Sequence, residues 1–108
     1  MMDKKYLGEL EQVLLLTILR LNNRTYGVEI RQAMLDLINR DISIGALYTT
    51  LGRLESKGLV NSAMGESSPE RGGRAKKYYS VSAQGQTALK SSLSGISTLS
   101  EGLSLRAA

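Results

Sequence analysis

The chain has 108 residues, a hydrophobic content of 42% and a net charge of +4, which together predict one small domain with a modest core. It contains no Cys and no His, which excludes disulfides, thiolate ligands, Cys nucleophiles and the commonest general base and metal ligand. Residues 1–6 are too short and too mixed in charge for a signal peptide, and no apolar run is long enough to span a bilayer. We therefore expect a cytoplasmic protein with no membrane partner, no metal and no cofactor.

The first two predicted elements are helices. Residues 7–22 carry apolar side chains on nearly all helical faces, which indicates burial on several sides and makes one side a candidate contact with a second chain. A second helix is predicted to begin after Thr25, a suitable N-cap, because apolar residues from Tyr26 to Ile38 recur at helical spacing. Residues 39–42 form a short polar link.

The third predicted helix has an unusual outer face. It begins after the N-cap Ser43, ends at Lys57-Gly58, and turns an apolar stripe inward. The opposite face is small except for one arginine: Gly45, Ala46, Thr49, Gly52, Arg53 and Ser56. Because Gly in a helix interior costs roughly 1 kcal/mol relative to Ala, this face indicates that something approaches the backbone closely. The alternative is that Gly52 and Ala46 pack against another helix of the same chain.

Two strands and a basic loop follow Gly58. The strands are predicted at residues 59–65 and 75–81, with Tyr79 and Val81 anchoring the second strand to the core. Four cations lie within residues 71–77 and account for the whole net charge of +4: Arg71, Arg74, Lys76 and Lys77. The alternative is an ordinary solvated loop.

The last predicted helix begins after Ser82 and has a narrow apolar stripe. Its members are Leu89, Leu93, Ile96, Leu99 and Leu103. Serines and glycines surround them, so intrinsic helix propensity is poor and the stripe needs a partner. A second copy of the chain is the simplest partner, which predicts a homodimer. The alternative is that this helix folds back on its own domain or frays.

The order helix, helix, helix, strand, basic loop, strand, helix predicts a winged helix-turn-helix fold, mainly α within the α+β class. Residues 1–82 would form the DNA-binding domain, with three helices and a two-stranded wing, and residues 83–108 the dimerisation helix. Helix 44–57 would enter the major groove and wing 66–77 would follow the phosphates of double-stranded DNA.

The predicted DNA-binding residues combine phosphate and base contacts. Glycines allow close approach, cations neutralise phosphates, the Tyr48 hydroxyl suits a phosphate oxygen, and Thr49 and Arg53 reach base edges. The full set is Ser43, Gly45, Ala46, Tyr48, Thr49, Arg53, Arg71, Gly72, Gly73, Arg74, Lys76 and Lys77.

Other interpretations remain beside this one. Tyr48 could be half-buried packing, and Arg53 could pair with Glu29. A winged-helix module for protein–protein contact is the alternative function. An enzyme is disfavoured, because the paired carboxylates near residues 9–11 and 66–70 show no pattern of a site.

Three segments resemble the PadR family of bacterial transcriptional regulators: YGVEI at 26–30, ISIGALYTTLGRLESKGLV at 42–60 and ERGGRAKKYYSVSAQGQTAL at 70–89. The resemblance covers about residues 7–93 and is closest to short members with one C-terminal helix. It implies a winged-helix dimer formed through that helix, operator binding, often repression, and a small-molecule effector that releases the DNA. Some short members use an aromatic residue on that helix to bind flat effectors. This chain has Ser100 there and no aromatic residue after Tyr79, so that pocket is not predicted.

Overall fold

The computed structural model describes residues 6–65 and 75–106, which form four helices and three short strands. In chain order these are α1 Glu9–Arg20, β1 Thr25–Tyr26, α2 Gly27–Ile38, α3 Ile44–Ser56, β2 Val60–Met64, β3 Lys77–Val81 and α4 Ala83–Ser100. The predicted loop positions Arg71, Gly72, Gly73 and Arg74 lie outside the described residues. The predicted mixture of helices and a small antiparallel sheet is confirmed.

The predicted serine caps start α3 and α4. The Ser43 hydroxyl accepts a hydrogen bond from the Ala46 N–H at 3.1 Å, and the Ser82 hydroxyl accepts one from the Gly85 N–H at 3.0 Å. These bonds satisfy backbone donors that the first helical turn leaves without partners. The predicted cap of α2 was wrong. Thr25 is fully buried in β1 and donates its hydroxyl to Glu29, and Tyr26 occupies the N-cap position.

The sheet has three antiparallel strands in the order β1-β3-β2, which are the two predicted wing strands and the additional strand β1 that the sequence did not predict. The additional strand β1 reaches β3 after a turn in which Asn22 and Asn23 both adopt positive φ angles. The Asn23 side chain then accepts from the Val81 N–H at 2.6 Å and donates to the Val81 carbonyl at 3.3 Å. This side chain therefore extends the pairing of β3 beyond the first residue of β1.

The core lies between α1, α3 and the inner face of the sheet. Leu14, Leu15 and Ile18 of α1 are fully buried, and Tyr79 and Val81 of β3 are each 4% exposed, which confirms their predicted role as anchors. Leu89 of α4 belongs to this same core and is also 4% exposed. The first half of α4 therefore folds back on its own domain, as the alternative interpretation held, because Leu89 is buried in the intrachain core.

A half-buried ion pair joins the start of α1 to the end of α3. Lys57 Nζ lies 2.8 Å from Glu11 Oε2, while the other Glu11 oxygen accepts from the Gly8 N–H at 2.9 Å. Burial alone raises the pKa of Glu11, but these hydrogen bonds and the positive charges of Lys57 and Arg53 outweigh it and leave the pKa below its ordinary value. The pair fixes the C-terminal end of α3 on the domain.

Candidate nucleic-acid interface

The outer face of α3 is open. Among residues 6–65 and 75–106, an added Cβ on Gly45 or Gly52 would meet no atom within 4 Å, apart from the adjoining residues and the helix's own nearby backbone. Thr49 and Arg53 lie on the same face and are exposed. Gly52 therefore does not pack against another helix of this chain, whereas Ala46 is half-buried against the core. The small face leaves room for an object outside the chain to approach the α3 backbone.

Arg53 and Ser43 border this open face. Among residues 6–65 and 75–106, Arg53 forms no ion pair within 4.0 Å. Its suggested partner Glu29 instead accepts a hydrogen bond from Thr25. Ser43 is exposed, but its hydroxyl oxygen is engaged as the helix cap. The Arg53 guanidinium is thus available to an external acceptor. The Ser43 hydroxyl, by contrast, stabilises the start of α3.

Tyr48 lies against the start of α2. Its side chain is half-exposed, and its hydroxyl and ring edge come so close to Gly27 that any Cβ there would collide with them. Gly27 is buried at the first position of α2. A larger residue at position 27 would force the Tyr48 ring to move, so Gly27 lets the Tyr48 side chain of α3 lie directly against the start of α2.

A cleft of about 580 Å³ separates α3 from the base of the wing. Its lining combines two tyrosines, two lysines, an alanine and the start of α2: Tyr26, Gly27, Val28, Tyr48, Ala75, Lys76 and Lys77. Lys76 Nζ lies 3.7 Å from the centre of the Tyr26 ring, and Lys77 Nζ lies 3.7 Å from a Glu55 carboxylate oxygen. Two cations and a phenol hydroxyl at one cleft suit an anionic oxygen such as that of a phosphate.

Tyr79, on the inner face of the sheet, is held in its neutral form. Burial raises the pKa of Tyr79, and the neighbouring Tyr48 and Glu55 add to the effect. Tyr79 therefore acts as packing beneath the cleft.

The second half of α4 is uncovered in the single chain. The stripe that begins with buried Leu89 continues with exposed residues: Leu93, Ile96, Leu99 and, beyond the helix, Leu103. Exposure rises from 37% at Leu93 to 77% at Leu99. A second apolar surface lies between α1 and α2, where Leu16, Leu37 and Ile38 are exposed beside a groove of about 570 Å³.

The sequence matches the profile of the transcriptional regulator PadR-like family over residues 15–91, which is most of the chain. The chain belongs to the PadR-like family. This PadR-like chain is therefore a transcriptional regulator rather than an enzyme. A comparison with curated proteins finds no match.

Solved structures agree with the fold of this PadR-like chain. A PadR-like transcription factor from Bacteroides fragilis superimposes with a TM-score of 0.72 at 26% identity, covering 87% of this chain and 85% of that one. A PadR family regulator from Eggerthella lenta gives a TM-score of 0.70 at 25% identity, covering 87% and 81%. F93 from STIV, a winged-helix DNA-binding protein, gives 0.73 at 17% identity, covering 93% and 100%, and shows the fold alone.

Two further observations bear on the sites of this PadR-like chain. No helix within residues 6–65 and 75–106 is long and apolar enough to cross a membrane. The same part of the chain contains no cluster of three acidic, His or Cys side chains arranged to hold a metal ion.

Sequence reasoning missed three residues of this PadR-like chain that contact the side chains of residues 76–78. Glu55 holds Lys77, Tyr26 carries Lys76 on its ring, and Arg24 lies over Tyr78. A signal for two of them was present, because a cation precedes a tyrosine by two positions in both RTY at 24–26 and KKY at 76–78. Glu55 had no such signal, since it is one acidic residue on a helix flank.

Proposed function

We propose that the protein is a homodimeric repressor that binds a palindromic operator through α3 and the wing. The open small face of α3 is the observation that carries this proposal. In the described part of the chain, no side chain occupies the space next to Gly45 or Gly52 where a Cβ would lie. Glycine is nevertheless a costly choice here, since it weakens a helix interior by roughly 1 kcal/mol relative to Ala. A small face lets a helix lie deep in the major groove, where its longer side chains can reach the base edges.

The proposed contacts divide into bases and phosphates. Arg53 and Thr49 are proposed to reach base edges from α3, since arginine can bind guanine with two hydrogen bonds. Tyr48, Lys76 and Lys77 line the cleft beside α3 and are proposed to bind phosphates. The loop residues Arg71, Gly72, Gly73 and Arg74 are proposed to extend this phosphate contact along the wing. Ser43, Gly45 and Ala46 would lie at the end of α3 that meets the DNA backbone.

The dimer is proposed to form through the second half of α4. Leu93, Ile96, Leu99 and Leu103 are exposed in one chain, and burying such a stripe against a second copy removes apolar surface from water. Because Leu89 is already buried, the proposed interface begins at Leu93, and the boundary between the two units falls within α4. A twofold dimer places two α3 helices on two half-sites, which requires a palindromic operator.

A selection experiment tests this function. The full chain is mixed with random duplex fragments and with its own promoter region, and bound DNA is recovered and sequenced. We expect an enriched inverted repeat whose half-sites lie about one helical turn apart or a multiple of it. Binding of that repeat should weaken steeply as salt rises, since lysine and arginine contacts release counterions. Absence of binding at low salt would favour a protein–protein module instead.

A further inference from the structure

Two short segments with the same pattern meet on the outer face of the sheet. Arg24-Thr25-Tyr26 and Lys76-Lys77-Tyr78 each place a cation two residues before a tyrosine. Tyr26 pairs directly with Tyr78 in the antiparallel register of β1 and β3. Alternate residues of a strand share a face, so the two cations and two tyrosines come together on one side. We call Arg24, Tyr26, Lys76 and Tyr78 the cation–tyrosine lock.

The contacts within the lock are reciprocal. The two tyrosine rings meet edge to face, with centroids 5.6 Å apart and planes at 80°. The Arg24 guanidinium lies 3.9 Å from the centre of the Tyr78 ring on the other strand, and Lys76 Nζ lies 3.7 Å from the centre of the Tyr26 ring. Each strand thus supplies a cation to the tyrosine of its neighbour, at distances where cation–π attraction is effective.

The lock fixes the base of the wing on both strands. The Gly65 N–H at the end of β2 donates to the Lys76 carbonyl at 2.7 Å, and a Cβ on Gly65 would collide with the Tyr78 ring. Tyr26 immediately precedes Gly27, against which Tyr48 of α3 packs. A continuous set of contacts therefore runs from α3 through Tyr26 to Lys76.

We propose that Tyr26, itself held by the edge-to-face contact with Tyr78, is a positioning residue that holds the Lys76 ammonium at the cleft, ready for a DNA phosphate. This inference rests on the proposed function. A lysine side chain free in water loses rotamer freedom when it binds a phosphate, whereas one already held over a ring loses less. The Tyr26 ring covers one side of the ammonium, which leaves donors on the other side for the phosphate.

A double-mutant cycle separates positioning from general stability. Tyr26→Leu removes the ring and should weaken binding of the selected operator about 3- to 10-fold, the size expected for one side chain that must be ordered on binding. Lys76→Met removes the charge that the ring positions. In the Lys76→Met chain, Tyr26→Leu should have little further effect, because no ammonium remains to be held. A merely structural tyrosine would cause the same loss in both backgrounds.

Two variants serve as controls. Tyr26→Phe keeps the ring face and should bind DNA like the parent chain. Arg24→Met removes one positive charge, as Lys76→Met does, but from the other end of the lock. It should leave the contact between Lys76 and Tyr26 in place.

An NMR signature reads the lock without DNA. The ε-protons of Lys76 should be shifted upfield by the Tyr26 ring in the parent, Tyr26→Phe and Arg24→Met chains, and return to ordinary values in Tyr26→Leu. An unshifted Lys76 in the parent, or equal losses of affinity in both arms of the cycle, would overturn the lock. A parent chain that binds no duplex would overturn the proposed function itself, and with it the phosphate role of Lys76.

Discussion

Lys76 and Lys77 follow one another in the chain, yet they meet different partners. Lys76 lies over the Tyr26 ring, and Lys77 pairs with Glu55 at 3.7 Å. Neighbouring residues of a strand point to opposite faces, so the two lysines are held by separate contacts at the mouth of the same cleft. Glu55 also accepts a hydrogen bond from the Ser62 hydroxyl at 2.5 Å, which keeps its carboxylate in place.

This arrangement predicts that Glu55 competes with DNA for Lys77. Glu55→Gln keeps an acceptor for Ser62 but removes the charge, so operator affinity at low salt should rise about 2- to 5-fold, as for a surface ion pair worth up to about 1 kcal/mol. Fluorescence anisotropy with a labelled operator measures the change. Glu101→Gln, which makes the same charge change just beyond α4, is the control.

The competition has its own internal check. In a Lys77→Met chain, Glu55→Gln should no longer raise affinity, because the lysine that it would release is absent. An equal gain with and without Lys77 would mean that Glu55 acts only by general repulsion of the phosphates.

At the scale of the elements, α3 combines a buried stripe with an open small face. This leads to opposite expectations for stability and binding at Gly52, where an added Cβ has no neighbour within 4 Å in the described part of the chain. Gly52→Gln should stabilise the free protein by about 0.5–1 kcal/mol, because glycine is a poor helix former and the new side chain meets no obstacle. The same change should weaken operator binding at least tenfold, since the side chain would occupy the space between α3 and the groove.

Urea unfolding and anisotropy on the same samples test this pair of expectations. Ser94→Gln, which introduces the same residue at an exposed position of α4 away from the open face of α3, is a suitable comparison. If Gly52→Gln gained stability and still bound the operator as tightly as the parent, this face of α3 would not belong to the DNA interface.

The ion pair that joins α1 to α3 predicts a pH dependence. Folding lowers the pKa of Glu11, so its contribution is fully present above the unfolded value near 4.5 and is lost as pH falls through the folded value. Lys57→Met should therefore lower the free energy of unfolding by about 1–2 kcal/mol at pH 7, because it leaves a buried carboxylate without its charged partner.

The difference between the parent and Lys57→Met chains should shrink as the pH falls below 4.5, the ordinary value for glutamate, and Glu11 becomes protonated. Urea unfolding at several pH values measures it, with the exposed Lys90→Met as a matched control. A difference that stays constant down to pH 3 would show that Lys57 stabilises through packing rather than through the Glu11 charge.

The helices and their serine caps were predictable, because their signals lie within a few residues of sequence. The strand β1 was not, since Thr25–Tyr26 is too short to show alternation and exists only through its pairing with Tyr78 and Tyr79. Leu89 shows a similar limit. Helical spacing identified the stripe on α4, but it does not distinguish a position buried in its own core from one left for a partner.

At the scale of the whole molecule, the cation-lined cleft and the exposed half of α4 are separate surfaces. The first half of α4 is tied to the domain by Leu89 and by Ser92, whose hydroxyl accepts from the Leu7 N–H at 2.9 Å. The exposed residues that follow are proposed to bring two domains together on DNA. Dimerisation and DNA contact can therefore be altered independently.

Ile96→Glu combined with Leu99→Glu should give a folded monomer, because both side chains are exposed in the single chain and charges there oppose only association. Sedimentation equilibrium measures the mass, and circular dichroism checks the fold. Ser94→Glu combined with Thr98→Glu adds the same charge to other positions on α4 and should remain dimeric. A dimer in the first variant would place the interface elsewhere, with the α1–α2 groove as the next candidate.

The most direct test of the central claim is an amide chemical-shift titration of the full chain with the selected operator duplex. If α3 and the wing base bind DNA, the largest shifts should occur at residues 43–56 and 75–77, and the amides of residues 93–100 should change little. Shifts concentrated on α4 or on the α1–α2 groove, with α3 unchanged, would contradict the account.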